Sequence, residues 1–201
     1  VKSYFNGMTD RQMLQANIMA ARSFIEKEPN YSFVAARLLL LLEYAEALGV
    51  DTSFDRIKVD YPAYFMKYVG QAIQLELLDP ALKSFDLKQI GKALVPERDF
   101  MLHYMGLQTL YDRYFIHTQD RRIELPQIFW MRVSMGLAIN EGEKKNEKAV
   151  EFYNILSTFR FMSSTPTLFN AGTRHPQLSS CFLTTIEDDL WHIFKCIQDD
   201  A

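Results

Sequence analysis

The sequence predicts a mainly α-helical protein. Only 8 of the 201 residues are glycine, and most of the 7 prolines stand where helices would begin or end. Apolar residues also recur at helical spacing along most of the chain. With 48% hydrophobic residues, a chain of this length can bury a substantial core as one large or two small domains, so it is not a disordered chain.

The first two helices have recognisable ends. Thr9 and Gln12 have the spacing of a capping box, which begins the first helix, and Pro29 stops it. Ser32 is the expected N-cap of the second helix, and Gly49 is its expected C-terminal stop.

Prolines and capping side chains also mark the next three helices. Asp60 with Pro62 is expected to open the third helix, and Asp86 to cap a short fourth. Pro96 is expected to begin a fifth helix that continues to about Tyr114. The aromatic residues of this fifth helix have the spacing of a buried face, which favours packing against other helices over stacking on bases.

Two more helices precede a change of pattern. Pro126 is expected to start the sixth helix and Asn146 to cap the seventh. After residue 158 a Ser/Thr/Pro-rich run occupies 163–172, and β-favouring residues follow from 178 to 185 with Cys181 in the middle. This pattern predicts two short strands flanking a polar loop.

Composition argues against several classes of protein. The formal net charge of −3 provides no basic surface for nucleic acid, and the longest apolar run, 38–42, is far shorter than the ~20 residues of a membrane span. Two cysteines, Cys181 and Cys196, with no signal peptide indicate a reducing, cytoplasmic protein. The four histidines lack metal-ligand spacing, so no metal is assigned.

The Ser/Thr/Pro run and Cys181 are the candidate functional residues. Hydroxyls and free backbone N–H groups around Pro166 could hold a diphosphate, and a thiol can carry redox chemistry. Both features also have structural explanations, because such runs commonly form turns and a cysteine can be a small buried residue on a strand. The acidic residues at 187–189 match the N-cap and first turn of a last helix.

Longer motifs occur in a fixed order along the chain. They are RDF at 98–100, YMGL at 104–107, LYDRY at 110–114, ELPQ at 124–127, MRVSMG at 131–136, STPTLFNAGT at 164–173 and QLSSCFL at 177–183. Together they resemble the large, catalytic subunit of class I ribonucleotide reductases.

The resemblance implies a domain organisation. It implies an all-helical N-terminal domain over 31–158, followed at 159–201 by the first strands of a ten-stranded α/β barrel that carries catalysis. Residues 1–30 could supply only the last helix of an ATP-binding cone, the module that regulates overall activity in this family. Allosteric regulation by ATP is therefore not assigned to this chain.

The resemblance also assigns substrate-binding roles. Thr165 resembles a contact to the substrate phosphate, and Ser180 and Cys181 resemble residues that line the ribose. Cys181 further resembles one of two redox-active cysteines that deliver reducing equivalents to the ribose 2′ carbon. The partner cysteine would lie outside this chain, so the chain would be inactive alone.

Asp188, and with it Asp189 and Leu190, resembles the site for a deoxynucleoside triphosphate effector, bound with Mg²⁺ at a homodimer interface. In the complete protein the substrate would be a ribonucleoside diphosphate, the radical would come from a small subunit, and thioredoxin or glutaredoxin would be the reductant. Neither a tightly bound cofactor in this chain nor a membrane or nucleic-acid partner is expected. The alternatives are a helical protein-interaction module, and a glycyl-radical or cobalamin-dependent reductase with the same barrel.

Overall fold

A computed structural model describes residues 4–49, 54–119 and 121–201, and these residues form an α-helical fold. In chain order the α-helices are α1 Asp10–Arg22, α2 Tyr31–Leu48, α3 Phe54–Gln74, α4 Leu87–Lys92, α5 Tyr104–Thr109, α6 Pro126–Ala138, α7 Lys145–Leu156, α8 Thr165–Asn170 and α9 Leu190–Asp200. Short 3₁₀ helices occupy Pro80–Ser84, Pro96–Met101 and Gly142–Lys144, and a π-helix occupies Leu110–Tyr114.

Helix α6 lies at the centre of the hydrophobic core. Eleven of its thirteen residues are buried, as expected for a helix that is covered on all sides. It packs against α7, while α2 packs against both α1 and α5, and α3 packs against α4. The core therefore joins elements from both halves of the chain around one apolar helix.

Several predicted helix ends are confirmed. Thr9 and Gln12 form a complete capping box at the start of α1, and Gly49 ends α2 in the left-handed conformation with φ of 67°. The Asp86 side chain accepts a hydrogen bond from the backbone N–H of Gln89 at the start of α4. Pro126 is the first residue of α6, where its missing N–H leaves no helical bond unmade.

The N-caps predicted at Ser32 and Asn146 are wrong. Ser32 lies inside α2, and its hydroxyl accepts a hydrogen bond from the backbone N–H of Tyr104 at 3.2 Å. Asn146 lies inside α7, and its side-chain oxygen accepts one from the backbone N–H of Asp86 at 2.9 Å. Both side chains therefore join distant parts of the chain instead of capping their own helix.

Two predicted helices have different bounds. Pro62 lies inside α3 and does not open it. The helix predicted from 96 to 114 is three pieces, with a break at 102–103 and a change to π-helical bonding at 110. The first break follows Asp99, whose buried carboxylate bonds to side chains of three other elements.

The predicted barrel strands do not form in the described residues. Across the ranges given above, β pairing is limited to isolated bridges between Leu78 and Thr173 and between His117 and Arg122. The segment 178–185 has no regular structure, because no neighbouring described segment supplies the ladder partner that a strand requires. The run at 163–172, expected as a loop, contains helix α8.

Among the described helices, none combines the length and the hydropathy that crossing a membrane requires.

Candidate functional site

Helix α8, which begins at Thr165, is short and is held by a side chain from the core. Its six residues are too few to form a stable helix in isolation. Arg132 of α6 donates through Nη1 to the carbonyls of Ala171 at 2.7 Å and Phe169 at 3.4 Å, and through Nη2 to that of Leu168 at 3.2 Å. These carbonyls lie at the C-terminal end of α8, where helical partners are lacking. Arg132 therefore stabilises α8 in one position.

The positive charge of Arg132 is balanced by a buried carboxylate. Nε of Arg132 donates to Oε1 of Glu124 at 2.7 Å, and the two side chains are at most 1% exposed. Tyr68 donates to the same oxygen at 2.6 Å, and the backbone N–H of Ile116 donates to Oε2 at 3.0 Å. Burial alone would lower the pKa of Arg132, but the Glu124 carboxylate and the Tyr68 hydroxyl together outweigh burial and raise that pKa. Each nitrogen of the buried guanidinium therefore has a hydrogen-bond acceptor, and each oxygen of the Glu124 carboxylate has a donor.

The residues after α8 are also tied to the helical body. The backbone N–H of Asp79 donates to the carbonyl of Gly172 at 3.1 Å, next to the bridge at Thr173. Arg174 donates to Glu76 at 2.8 Å in an exposed ion pair. The stretch 168–174 is therefore tied to the helical body along its length.

Thr165 is exposed at the start of α8 beside a mostly apolar cavity. Its Oγ1 lies 3.2 Å from the hydroxyl of Tyr114. Thr165 and Ser163 line the cavity, which has a volume of about 440 Å³. Its apolar walls include Leu102, Met105, Leu110, Trp130, Phe159 and Met162. The structure therefore presents the predicted phosphate-binding hydroxyl at the surface on an anchored helix.

Ser180 and Cys181 lie in the exposed, irregular segment that follows α8. The side-chain amide of Asn170 donates to the carbonyl of Gln177 at 2.7 Å, which fixes the start of this segment against α8. The thiol of Cys181 is free and exposed, so the interpretation of Cys181 as a small buried strand residue is wrong. The described hydrogen bonds between this segment and α8 are accepted by the carbonyls of Gln177 and Leu178. Ser180 and Cys181 follow these two residues in the chain.

The acidic turn before α9 caps that helix. Asp189 is the N-cap, and its carboxylate accepts a hydrogen bond from the backbone N–H of His192 at 2.9 Å, which confirms the predicted acidic N-cap. Asp188 is exposed, and Leu190 is 66% exposed. Residues 188–190 therefore lie at the surface. Of their two carboxylates, that of Asp189 already accepts a hydrogen bond from the backbone of α9.

Helix α9 exposes an apolar face to solvent and buries the thiol of Cys196. Trp191, Phe194 and Ile197 are each at least 60% exposed. Cys196 is buried, and its sulfur lies 3.6 Å from the carbonyl oxygen of Thr185. Cys196 is a free thiol, as is Cys181.

A second buried carboxylate lies deeper in the core. Oδ2 of Asp99 accepts hydrogen bonds from the hydroxyls of Tyr44 at 2.6 Å and Tyr61 at 2.8 Å, and Oδ1 accepts from Nε2 of Gln127 at 2.7 Å. Burial raises the pKa of Asp99 to about 6, against the opposing effect of these three donors. The carboxylate of Asp99 therefore links Tyr44 of α2, Tyr61 of α3 and Gln127 of α6.

The sequence motifs predicted no role for Arg132, Glu124 or Asp99. Arg132 stands within the apolar run of the sixth predicted helix, and a charge in a helix that is buried on all sides requires a partner. That signal could have identified Arg132 as a buried anchor. It could not have identified its acceptors, because most of them lie beyond position 167 in another element.

Within the ranges that the structure describes, no group of three or more His, Cys, Asp or Glu side chains is placed to hold a metal ion.

Comparisons with known proteins find relatives along nearly the whole chain. A family model described as "Ribonucleotide reductase, all-alpha domain" matches residues 100–176. The chain is 49% identical over 197 residues to the ribonucleoside-diphosphate reductase subunit alpha of Chlamydia pneumoniae, covering 98% of this chain and 19% of that protein. It is 38% identical over 196 residues to the subunit alpha of Helicobacter pylori (strain ATCC 700392 / 26695), covering 96% and 24%.

A eukaryotic relative matches over a similar length. The chain is 31% identical over 189 residues to the ribonucleoside-diphosphate reductase large subunit of Danio rerio, covering 94% of this chain and 23% of that protein. The chain therefore spans between 19% and 24% of the length of these curated relatives.

Proposed function

The chain belongs to the family of ribonucleoside-diphosphate reductase large subunits, and we propose on this basis that it is part of an enzyme that makes deoxyribonucleoside diphosphates. In the proposed reaction the 2′-hydroxyl of a ribonucleoside diphosphate is replaced by hydrogen and leaves as water. Two thiols supply the electrons and become a disulfide, so the reaction balances. The observation that carries this proposal is the identity of 31% to 49% to named reductase subunits across nearly the whole chain.

Thr165 is the proposed contact to the substrate phosphate. Its hydroxyl is at the surface, and a threonine hydroxyl can donate to a phosphate oxygen. The helix that carries it is anchored by Arg132 before any ligand binds. A contact group that is already fixed loses less conformational freedom on binding, which favours affinity.

Cys181 is the proposed redox-active thiol, and Ser180 the proposed neighbour along the ribose. Thiol–disulfide exchange requires access to the sulfur, and Cys181 is exposed whereas Cys196 is only 3% exposed. Cys196 is therefore a poor partner, and the second thiol is proposed to come from outside these 201 residues. Thioredoxin or glutaredoxin would then reduce the disulfide after each turnover.

Asp188, Asp189 and Leu190 are proposed to bind a deoxynucleoside triphosphate effector together with Mg²⁺. The carboxylate of Asp189 is engaged with the backbone of His192, whereas the exposed carboxylate of Asp188 is the better placed of the two to accept from a sugar hydroxyl. In the proposed assembly this surface lies at the interface of a large-subunit homodimer, and a small subunit supplies the radical.

The proposed domain boundary lies near residue 158. The helical body over 31–158 contains the Arg132 and Asp99 clusters, and the segment 159–201 carries the residues proposed to contact ligands. Helix α1 is the proposed last helix of an ATP-binding cone. The complete enzyme is proposed to act in the cytoplasm.

Turnover of the complete protein tests the assignment of Cys181. With its small subunit, a ribonucleoside diphosphate and a dithiol reductant, the Cys181→Ser variant should lose dithiol-dependent turnover, and the Cys196→Ser variant should retain it. Full activity of Cys181→Ser would overturn the redox role. A complete protein that bound no ribonucleoside diphosphate would instead support the alternative of a helical interaction module.

A further inference from the structure

Tyr114 contacts α8 at two points that are one helical turn apart. Its hydroxyl lies 3.2 Å from Oγ1 of Thr165, and its ring stacks on Phe169 with 4.5 Å between ring centroids and 22° between planes. Residues four apart lie on the same face of a helix. Tyr114 therefore lies along the face of α8 that carries the Thr165 hydroxyl.

The position of Tyr114 is itself fixed by the backbone and by a second aromatic ring. It is the last residue of the π-helix, where the backbone N–H of Phe115 donates to the carbonyl of Leu110 at 2.9 Å. Such π-helical turns are rare and occur often at functional sites. Phe129 of α6 packs against the Tyr114 ring at 6.2 Å and 64°. Packing thus determines where the phenol hydroxyl lies.

We propose that Tyr114 is a positioning residue that orients the Thr165 hydroxyl toward the substrate phosphate. A threonine hydroxyl has one hydrogen to donate and two lone pairs to accept with. When Tyr114 donates to Oγ1 of Thr165, the threonine hydrogen is free for a phosphate oxygen. If Thr165 donated to the phenol oxygen instead, its hydrogen could not bond to the phosphate. A bound anion therefore favours donation from Tyr114 to Thr165. This inference rests on the proposed role of Thr165 as a phosphate contact.

The direction of donation also strengthens the contact to the phosphate. Hydrogen bonds in a chain polarise one another, so a threonine oxygen that accepts from Tyr114 makes its own hydrogen a better donor. One such hydrogen bond should change affinity roughly 3- to 10-fold, which corresponds to about 0.6–1.4 kcal/mol. Tyr114 would therefore influence substrate binding without touching the substrate.

Steady-state kinetics of the complete protein with its small subunit test this proposal. Tyr114→Phe retains the ring that stacks on Phe169 and removes only the hydroxyl. It should raise KM for a ribonucleoside diphosphate roughly 3- to 10-fold with little change in kcat, since the bond acts in binding. Tyr111→Phe is the matched control, because that hydroxyl donates to Glu46 at 2.6 Å, and its KM should be unchanged.

A double variant separates positioning from a purely structural effect. In a Thr165→Val background, Tyr114→Phe should have no further effect on KM, because its contribution passes through the Thr165 hydroxyl. An equal additional rise in that background would overturn the inference. Binding of the diphosphate without the small subunit, measured by equilibrium dialysis, should show the same ratios of affinity.

The remaining outcomes distinguish this inference from the proposed function. If Thr165→Val raises KM but Tyr114→Phe does not, the positioning role is wrong and the phosphate contact stands. If Thr165→Val leaves KM unchanged, the phosphate contact is wrong, and the role of Tyr114 fails with it. Unchanged thermal melting of Tyr114→Phe would show that the rise in KM does not come from unfolding.

Discussion

The backbones of Gly136 in α6 and Gly172 after α8 pack directly against each other. A Cβ atom at Gly136 would lie only 2.1 Å from the backbone nitrogen of Gly172. Gly172 has φ of +76°, and a Cβ atom there would lie 2.8 Å from the carbonyl oxygen of Arg132. The two glycines thus permit the close approach that brings the end of α8 within reach of the Arg132 guanidinium.

Gly136→Ala should destabilise the fold. Alanine is the better helix former by about 1 kcal/mol, but its methyl group would overlap the backbone at Gly172, and overpacking costs about 1–3 kcal/mol. Because the obstructing atoms belong to backbone, we expect the overlap to prevail. An overlap at 2.1 Å places the overpacking cost near its upper value of about 3 kcal/mol, so urea unfolding should show a net loss of about 2 kcal/mol.

Gly70→Ala in α3 is the matched control, because nothing lies within 4 Å of a Cβ atom at that position. It should leave the free energy of unfolding unchanged or raise it by about 0.5–1 kcal/mol. Equal effects of the two substitutions would contradict the importance of the contact between Gly136 and Gly172.

Arg132→Met should be strongly destabilising. It leaves the Glu124 carboxylate buried without its cation, and removing one partner of a buried pair costs about 3–5 kcal/mol. Adding Glu124→Gln removes the unpaired charge, so the double variant should recover part of this loss in urea unfolding. A simple sum of the two single losses would refute this account of the pair.

Arg174→Met is the control for that experiment. Arg174 also lies in the segment after α8 and also pairs with a glutamate, but both side chains are largely exposed. Exposed ion pairs contribute about 0–1 kcal/mol, so the free energy of unfolding should change little.

Asp99 should make stability depend on pH. Burial raises its pKa from the usual 3.8 to about 6, so the folded protein binds this proton more tightly than the unfolded chain. This stabilisation is fully present below about pH 4 and is lost as the pH rises through about 6. The difference between a pKa of 3.8 and one of about 6 corresponds to about 3 kcal/mol.

Asp99→Asn provides the reference, because it cannot titrate. The wild-type protein should lose about 2.5 kcal/mol of unfolding free energy relative to this variant between pH 4 and pH 7. Urea unfolding of both proteins across this range measures the difference. A difference that stays constant with pH would show that Asp99 does not have the raised pKa.

The two cysteines should react at very different rates. Cys181 is exposed, whereas Cys196 is only 3% exposed, so a thiol reagent such as a disulfide dye should modify one thiol quickly and the other only in denaturant. Cys181→Ser should remove the fast phase, and Cys196→Ser should retain it. A fast phase that persists in Cys181→Ser would contradict the burial of Cys196.

Local rules predicted much of the helical fold. The capping box at Thr9, the left-handed Gly49 and the capping carboxylate of Asp86 depend on bonds within a few residues, so their signals are contained in short stretches of sequence. Pro126 belongs to the same class, since a proline at the first position of a helix leaves no helical N–H bond unmade.

Local rules failed where side chains bond across the fold. Ser32 and Asn146 have the composition of N-caps, yet they accept hydrogen bonds from Tyr104 and Asp86, each at least sixty positions away. The segment around Cys181 has strand-like composition, but a strand also needs a neighbouring strand. Such partners cannot be inferred from the local pattern.

The same difference between local signals and long-range contacts applies to the candidate site. The sequence identified Thr165 and Cys181 through motifs, and their chemical roles stay predictions. It did not identify the supports of α8, because Tyr114 fitted the pattern of a core aromatic and Arg132 that of an interruption in an apolar run. Tyr114 contacts a residue of α8 that is 51 positions later in the chain, and Arg132 contacts residues that are 36 to 39 positions later. Such contacts leave no signal in a short stretch of sequence.

The anchoring of α8 by Arg132 also bears on how the protein opens. Local unfolding of α8 would withdraw three carbonyl acceptors from a guanidinium that cannot leave the core without breaking its pair with Glu124. Fraying of these six residues is therefore coupled to disruption of the core. In hydrogen exchange, the amides at the end of α8 should be protected with the helical body as one cooperative unit.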